Sequence, residues 1–137
     1  PDPTLAPHQA QAVEQFFLGD VALFRGFLAA CCGQFPTDIA QGDKACAAGD
    51  WAALRLTAHN LKSILQTLGY PDLHAQARAL EQSCMANDGA SCLPLWQVIR
   101  SELLEFQTQS VLPNNPLFFL GILRGLRNDF IFIIYSI

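Results

Sequence analysis

The residues with the clearest capacity for chemistry lie in one short stretch, Ala58-His59-Asn60-Leu61-Lys62-Ser63. An exposed imidazole is a nucleophile that is substantially neutral near pH 7. A lysine three residues further along a helix lies about one turn away, where its ammonium group can stabilise an anion carried by the imidazole. The pair of His59 and Lys62 therefore predicts a site that acquires an anionic group, and phosphate suits it.

A helix over Trp51–Leu68 is predicted to position this pair. Asp50 can cap its first turn, and Gly69-Tyr70-Pro71 provides the glycine and proline that end helices. One apolar stripe of this helix is expected to be buried, whereas His59 falls on the opposite, exposed face. The stripe comprises Leu54, Ala58, Leu61, Leu65 and Leu68. The exposed face also carries the predicted partner-binding residues, which are Arg55, Leu56, Ser63 and Gln66.

Apolar periodicity predicts further helices on both sides of this one. Pro36 predicts a kink or break near Phe35 within the second of them. No alternating strand pattern appears before residue 110, so we expect an all-α antiparallel four-helix bundle with a short N-terminal helix and an apolar C-terminal tail. The other predicted helices are 9–17, 20–48 with core residues Leu23, Phe24, Phe27, Leu28 and Cys31, 72–85 with Leu73, Ala77, Leu80 and Cys84, and 92–107 with Trp96, Ile99, Leu103 and Phe106.

Composition limits the possible functions. A chain of 137 residues with 51% hydrophobic residues is long enough for one packed domain. We assign residues 1–8 to an N-terminal arm, 9–110 to the domain and 111–137 to an apolar C-terminal extension. The net charge of −4 and the absence of clustered Lys and Arg argue against a nucleic-acid partner.

The cysteines and remaining histidines predict no further chemistry. Five cysteines, an odd number with one adjacent pair and no C-x-x-C, favour neither a disulfide framework nor a zinc site, and a reducing cytosol is the simplest setting. His74 is expected to be a surface histidine, because no His-x-x-x-His motif or carboxylate pair accompanies it. His8 lies in the proline-rich arm. We therefore predict no metal site.

The extension over residues 111–137 has no clear role. Arg124, Arg127 and Asp129 interrupt its apolar residues and make a membrane span costly. Three interpretations stay open: an extra helix packed along the bundle, a self-association element, or a non-native extension.

The site stretch belongs to a longer pattern that resembles the histidine phosphotransfer (HPt) domain family. The similarity spans about residues 12–108, and one departure is Ser63, where the family usually has glycine. After the stretch around His59, the matching residues are Leu68-Gly69, Leu73, Ala77 and Leu80-Glu81, and before it they are Gly19-Asp20, Leu23, Phe24, Leu28, Phe35 and Gly49-Asp50.

The resemblance implies a four-helix bundle in which His59 is the phosphorylated histidine and Lys62 the basic residue beside the phosphoryl group. It implies that the partners are receiver domains of response regulators or of a hybrid sensor histidine kinase, in a cytoplasmic phosphorelay. The chain would need no cofactor, since Mg²⁺ would belong to the receiver.

Three other functions compete with phosphotransfer. Because no phosphate-binding G-x-x-x-x-G-K-[ST] loop is present, self-phosphorylation by ATP is not expected. The main alternative is an HPt-like docking module that binds a signalling partner without phosphotransfer. A metal-binding helical bundle is disfavoured because inward-facing Glu and His pairs are missing.

Overall fold

A computed structural model describes residues 4–111, and this part of the chain contains five helices and no strand. The predicted all-α fold is confirmed. Most of the predicted C-terminal extension, with its possible self-association, lies outside the described residues. The helices are α1 (Pro7–Phe17), α2 (Val21–Ala48), α3 (Trp51–Thr67), α4 (Pro71–Met85) and α5 (Gly89–Val111).

Helices α2 to α5 form a closed bundle. Each of α3 and α5 packs against both α2 and α4, so the four helices surround one core, and α1 packs against α2. Turns of two or three residues join α2 to α3, α3 to α4 and α4 to α5. Such short connections make neighbouring helices antiparallel, as the sequence predicted.

Helix α3 is held at both ends and along one face. The Ala53 amide donates to the Asp50 carboxylate at 3.0 Å, which caps the first turn. The helix ends at Thr67, one residue before the predicted end, and Gly69 follows with φ of 92°. The predicted stripe is confirmed, since no member is more than 1% exposed: Leu54, Ala58, Leu61, Leu65 and Leu68.

The core stripes predicted on the last two helices are also confirmed, because all eight residues are buried. Helix α5 begins at Gly89, three residues earlier than predicted. The Asp88 carboxylate accepts the Ser91 amide at 3.2 Å and its carbonyl accepts the Cys92 amide at 3.0 Å, so the helix can begin directly after this residue.

Of the kink or break predicted near Phe35, the break is wrong, because α2 continues through Pro36. Proline has no amide hydrogen, so the carbonyl four residues earlier, that of Cys32, loses its normal helical donor. The side-chain amide of Gln107 on α5 lies 3.4 Å from that carbonyl and donates to it. A buried side chain from another helix thus satisfies the acceptor that the proline leaves unpaired.

The predicted core face of α2 is correct except at its first turn. Phe24 and Cys31 are buried and Phe27 and Leu28 are half-buried, but Leu23 is 58% exposed. The sequence spacing of Leu23 fits the stripe, yet the neighbouring helices do not cover it. Its amide donates to the Asp20 cap at 3.0 Å.

Helix α2 packs against α5 where a glycine faces an indole ring. A Cβ atom added at Gly42 would lie 2.0 Å from Cζ2 of Trp96, which is fully buried. The neighbouring Asp43 fixes the ring, because its carboxylate accepts Trp96 Nε1–H at 2.9 Å and Arg100 Nε–H at 3.0 Å. Gly42 therefore provides the space that Trp96 occupies.

Candidate functional site

The predicted nucleophile lies in the middle of α3 and faces outward. The side chain of His59 is 62% exposed, as the helical spacing predicted. Its Nδ1 atom lies 3.4 Å from Oε1 of Glu81 on α4. A proton on Nδ1 would point toward this carboxylate, which leaves Nε2 with its lone pair on the solvent side. The geometry therefore favours Nε2 as the reactive nitrogen.

Lys62 is tied to the same carboxylate. Its Nζ atom lies 2.9 Å from Oε2 of Glu81, and the two side chains are 26% and 13% exposed. One carboxylate thus bridges the imidazole and the ammonium group through its two oxygens. An ammonium group has three donors, so this contact leaves Lys62 able to donate to a second anion.

Glu81 was not predicted as a functional residue. In the sequence it formed part of the HPt-like pattern as Leu80-Glu81, with no role assigned to it. Its position after Leu80 of the α4 core stripe places it at the edge of the buried face. Its contact with His59 depends on how α4 aligns with α3, and helical periodicity within each helix does not fix that alignment.

The charges in this cluster lower the pKa of Glu81. The main cause is the hydrogen bond from Lys62, and the contact with His59 adds to it, whereas burial acts in the opposite direction. A carboxylate with a lowered folded-state pKa contributes stability above its ordinary value of 4.5, and this contribution is lost as the pH falls through the lowered value.

We expect a Glu81→Gln variant to reveal this contribution. The free energy of unfolding should be lower for the variant than for the wild type near neutral pH, because the amide cannot pair with the ammonium group of Lys62. The difference should shrink as the pH falls below 4.5, where Glu81 of the wild type also becomes neutral. Urea denaturation across this pH range measures the difference in free energy of unfolding. A difference that does not vary with pH would contradict a stabilising ion pair between Glu81 and Lys62.

The predicted partner-binding residues all lie on the exposed surface of α3, around His59. Arg55, Leu56, Ser63 and Gln66 are exposed, and Leu56, which is 67% exposed, gives this surface an apolar side chain. Ser63 lies one turn after His59, and its small side chain leaves the imidazole accessible.

The other two histidines lie outside this cluster. His74 was predicted to be a surface histidine, but it is half-buried and its Nδ1 donates to the Lys62 carbonyl at 2.7 Å. This bond links α4 to α3, so burial follows from helix packing that the sequence spacing did not reveal. His8 is exposed, and its ring lies 4.5 Å from that of Tyr70.

The cysteines are free, and four of the five are buried. Desolvation raises the pKa of Cys31 to about 11 and that of Cys84 to about 12. A thiol is nucleophilic only as the thiolate, so these buried groups are unreactive near neutral pH.

Within residues 4–108 we find no group of three or more His, Cys, Asp or Glu side chains that could hold a metal ion. No single described helix is long and apolar enough to cross a bilayer. Helices α1 and α2, which meet at 104°, are together long and apolar enough.

Comparison with known proteins gives one match. The family model described as "Hpt domain" matches residues 26–109, more than half of the chain, and this segment contains His59, Lys62 and Glu81. No curated protein and no solved structure matches the chain.

Proposed function

Because the chain belongs to the Hpt domain family, whose members have phosphotransfer-related roles in two-component signalling, we propose that it is the phosphoryl carrier of a phosphorelay. In this proposal, His59 accepts a phosphoryl group from an aspartate of one receiver domain and passes it to an aspartate of another. The relay is cytoplasmic in this proposal, since a reducing compartment keeps thiols such as these five free cysteines reduced.

The observation that carries the proposal is the placement of an exposed imidazole between solvent and a carboxylate. With a proton on Nδ1 held toward Glu81, the lone pair of Nε2 attacks the phosphorus of a docked phosphoaspartate in line. The new N–P bond forms while the acyl O–P bond breaks, and the receiver's carboxylate leaves. The phosphorylated ring is cationic, and Glu81 at 3.4 Å stabilises that charge.

Lys62 acts on the phosphoryl oxygens rather than on a proton. Glu81 holds its ammonium group beside the imidazole, at 2.9 Å from the carboxylate, and its remaining donors can face the negative charge of the phosphoryl group. In-line phosphoryl transfer depends mainly on positioning and electrostatic stabilisation, so this chain needs little beyond an accessible nucleophile and one cation. Mg²⁺ belongs to the receiver in this proposal.

Receiver domains dock over the exposed face of α3. Leu56 supplies the apolar contact near His59, and Ser63 leaves room for the approaching aspartate. Arg55 and Gln66 lie at the periphery of this face, where they can contact the partner.

The test is transfer of labelled phosphate to the full chain from each of several purified, phosphorylated receivers. We expect the chain to take up label that is lost in acid and retained in alkali, because a phosphoramidate bond is acid-labile whereas an acyl phosphate is cleaved by alkali. Acid-stable label would indicate a hydroxyl ester instead of phosphohistidine. Receivers that bind but transfer no label would favour the alternative of a docking module.

A further inference from the structure

A groove lies beside the face of α3 that carries His59, between that helix and α1. It has a volume of about 160 Å³. Ala12 and Pro71 contribute to its lining, together with the ring of Phe16, which is 40% exposed. The side-chain amides of Gln11 and Gln15 on α1 and of Gln66 on α3 also line it, together with His8 and Gly69. We call it the α1–α3 groove.

The wall that α1 provides is fixed in place. A Cβ atom at Gly69 would lie 2.4 Å from the His8 carbonyl oxygen, so the glycine allows α1 to approach the end of α3. Gln9 of α1 donates to the Tyr70 hydroxyl at 3.2 Å. The groove is therefore held by contacts between the backbone and side chains of α1 and the turn after α3.

The position of the groove relative to His59 follows from helix geometry. Gln66 comes seven residues after His59, which is about 10.5 Å along the helix axis and about 20° around it. An interface of standard size covers about 800 Å² on each partner, a circular patch with a radius of about 16 Å. A partner centred on His59 therefore extends over Gln66 to the edge of the groove.

The chemistry of the lining limits what the groove can bind. It includes no Asp, Glu, Lys or Arg, and its one ionisable side chain is His8, whose exposed ring packs edge-on against Tyr70. The groove therefore has no fixed charge to pair with a phosphate or with a charged side chain. A phenyl ring and small apolar groups favour an uncharged side chain, while three carboxamides can bond to the backbone N–H and C=O groups beside it.

We propose that the α1–α3 groove binds an apolar side chain and adjoining backbone of the receiver domain that docks on His59, and that Phe16 is a specificity-determining residue. This inference rests on the proposed function, because its occupant is the receiver of the relay. The wall comes from α1, which lies before the segment 26–109 that the family model matches.

The test is the equilibrium dissociation constant, Kd, of the full chain for each of several purified receivers. We expect Phe16→Ala to raise the Kd of at least one receiver by about tenfold, because truncating an aromatic contact at an interface typically has an effect of this order. Phe16→Leu keeps an apolar wall and should restore most of the affinity. Val98→Ala is the matched control, since Val98 is an exposed apolar residue on α5, and its Kd should match the wild type.

Chemical phosphorylation separates docking from the chemistry of His59. Phosphoramidate, a small donor that needs no docking surface, should label wild type and Phe16→Ala at equal rates. An unchanged Kd in Phe16→Ala for every receiver that binds would overturn the groove proposal while leaving phosphotransfer through His59 intact. A Phe16-dependent Kd without phosphoryl transfer would overturn the proposed function but support the groove.

Two further outcomes would also overturn the groove proposal. If no receiver binds the wild type, both proposals fail together. If Phe16→Ala changes the number of chains per particle and leaves receiver binding unchanged, the occupant is a second copy of the chain. Circular dichroism and thermal unfolding of each variant establish that the helices are intact.

Discussion

Replacing His59 by glutamine should reduce phosphoryl uptake from every receiver to background. The amide nitrogen of glutamine has no available lone pair, so it cannot attack phosphorus, although it can still donate to Glu81 as the ring does. Because the side chain is 62% exposed, the free energy of unfolding should stay within about 0.5 kcal/mol of the wild type. Receiver binding should also persist, since the docking residues around position 59 are unchanged.

The chain offers a matched control in His74→Gln. This variant also removes one imidazole, and the amide can still donate to the Lys62 carbonyl that His74 contacts at 2.7 Å. We expect it to take up phosphate as the wild type does. Labelling that survives in His59→Gln and disappears in His74→Gln would show that His74, and not His59, carries the phosphoryl group. That result would overturn the mechanism.

The two residues of the site that were predicted, His59 and Lys62, belong to a single helix. Their relation to each other is fixed by the helical repeat, and the leucine stripe on the opposite side predicts the exposure of His59. Glu81 could not be predicted in the same way, because it reaches the site from α4. Its contacts depend on the alignment of two helices, which is set by packing of the whole core.

The same distinction, between relations within one helix and contacts between helices, applies to the fold. Caps and turns near Asp50, Gly69 and Asp88 act over a few residues, so they mark helix ends to within three residues. The Cys32 carbonyl, which Pro36 leaves without its helical donor, accepts from Gln107, more than seventy residues away in sequence. A local rule correctly identified the missing hydrogen-bond donor, but only the folded bundle supplies its replacement.

Replacing Gly42 by alanine should destabilise the bundle by about 2 kcal/mol. Alanine favours a helix interior by about 0.5–1 kcal/mol relative to glycine. Against this, the added Cβ would lie 2.0 Å from Cζ2 of Trp96, and overpacking of a core typically costs about 1–3 kcal/mol or more. The indole cannot easily withdraw, because it is fully buried and its Nε1–H donates to Asp43, so the steric term should exceed the helical preference.

A second glycine of α2 provides the control that isolates this steric term. Gly33 lies in the same helix, and none of the described atoms comes within 4 Å of a Cβ placed there. Gly33→Ala should therefore gain the helical preference alone and raise the free energy of unfolding by about 0.5–1 kcal/mol. Urea denaturation of the two variants beside the wild type should give shifts of opposite sign. Equal stabilisation by both would mean that Trp96 does not occupy the space at Gly42, and the packing of α2 on α5 would need to be revised.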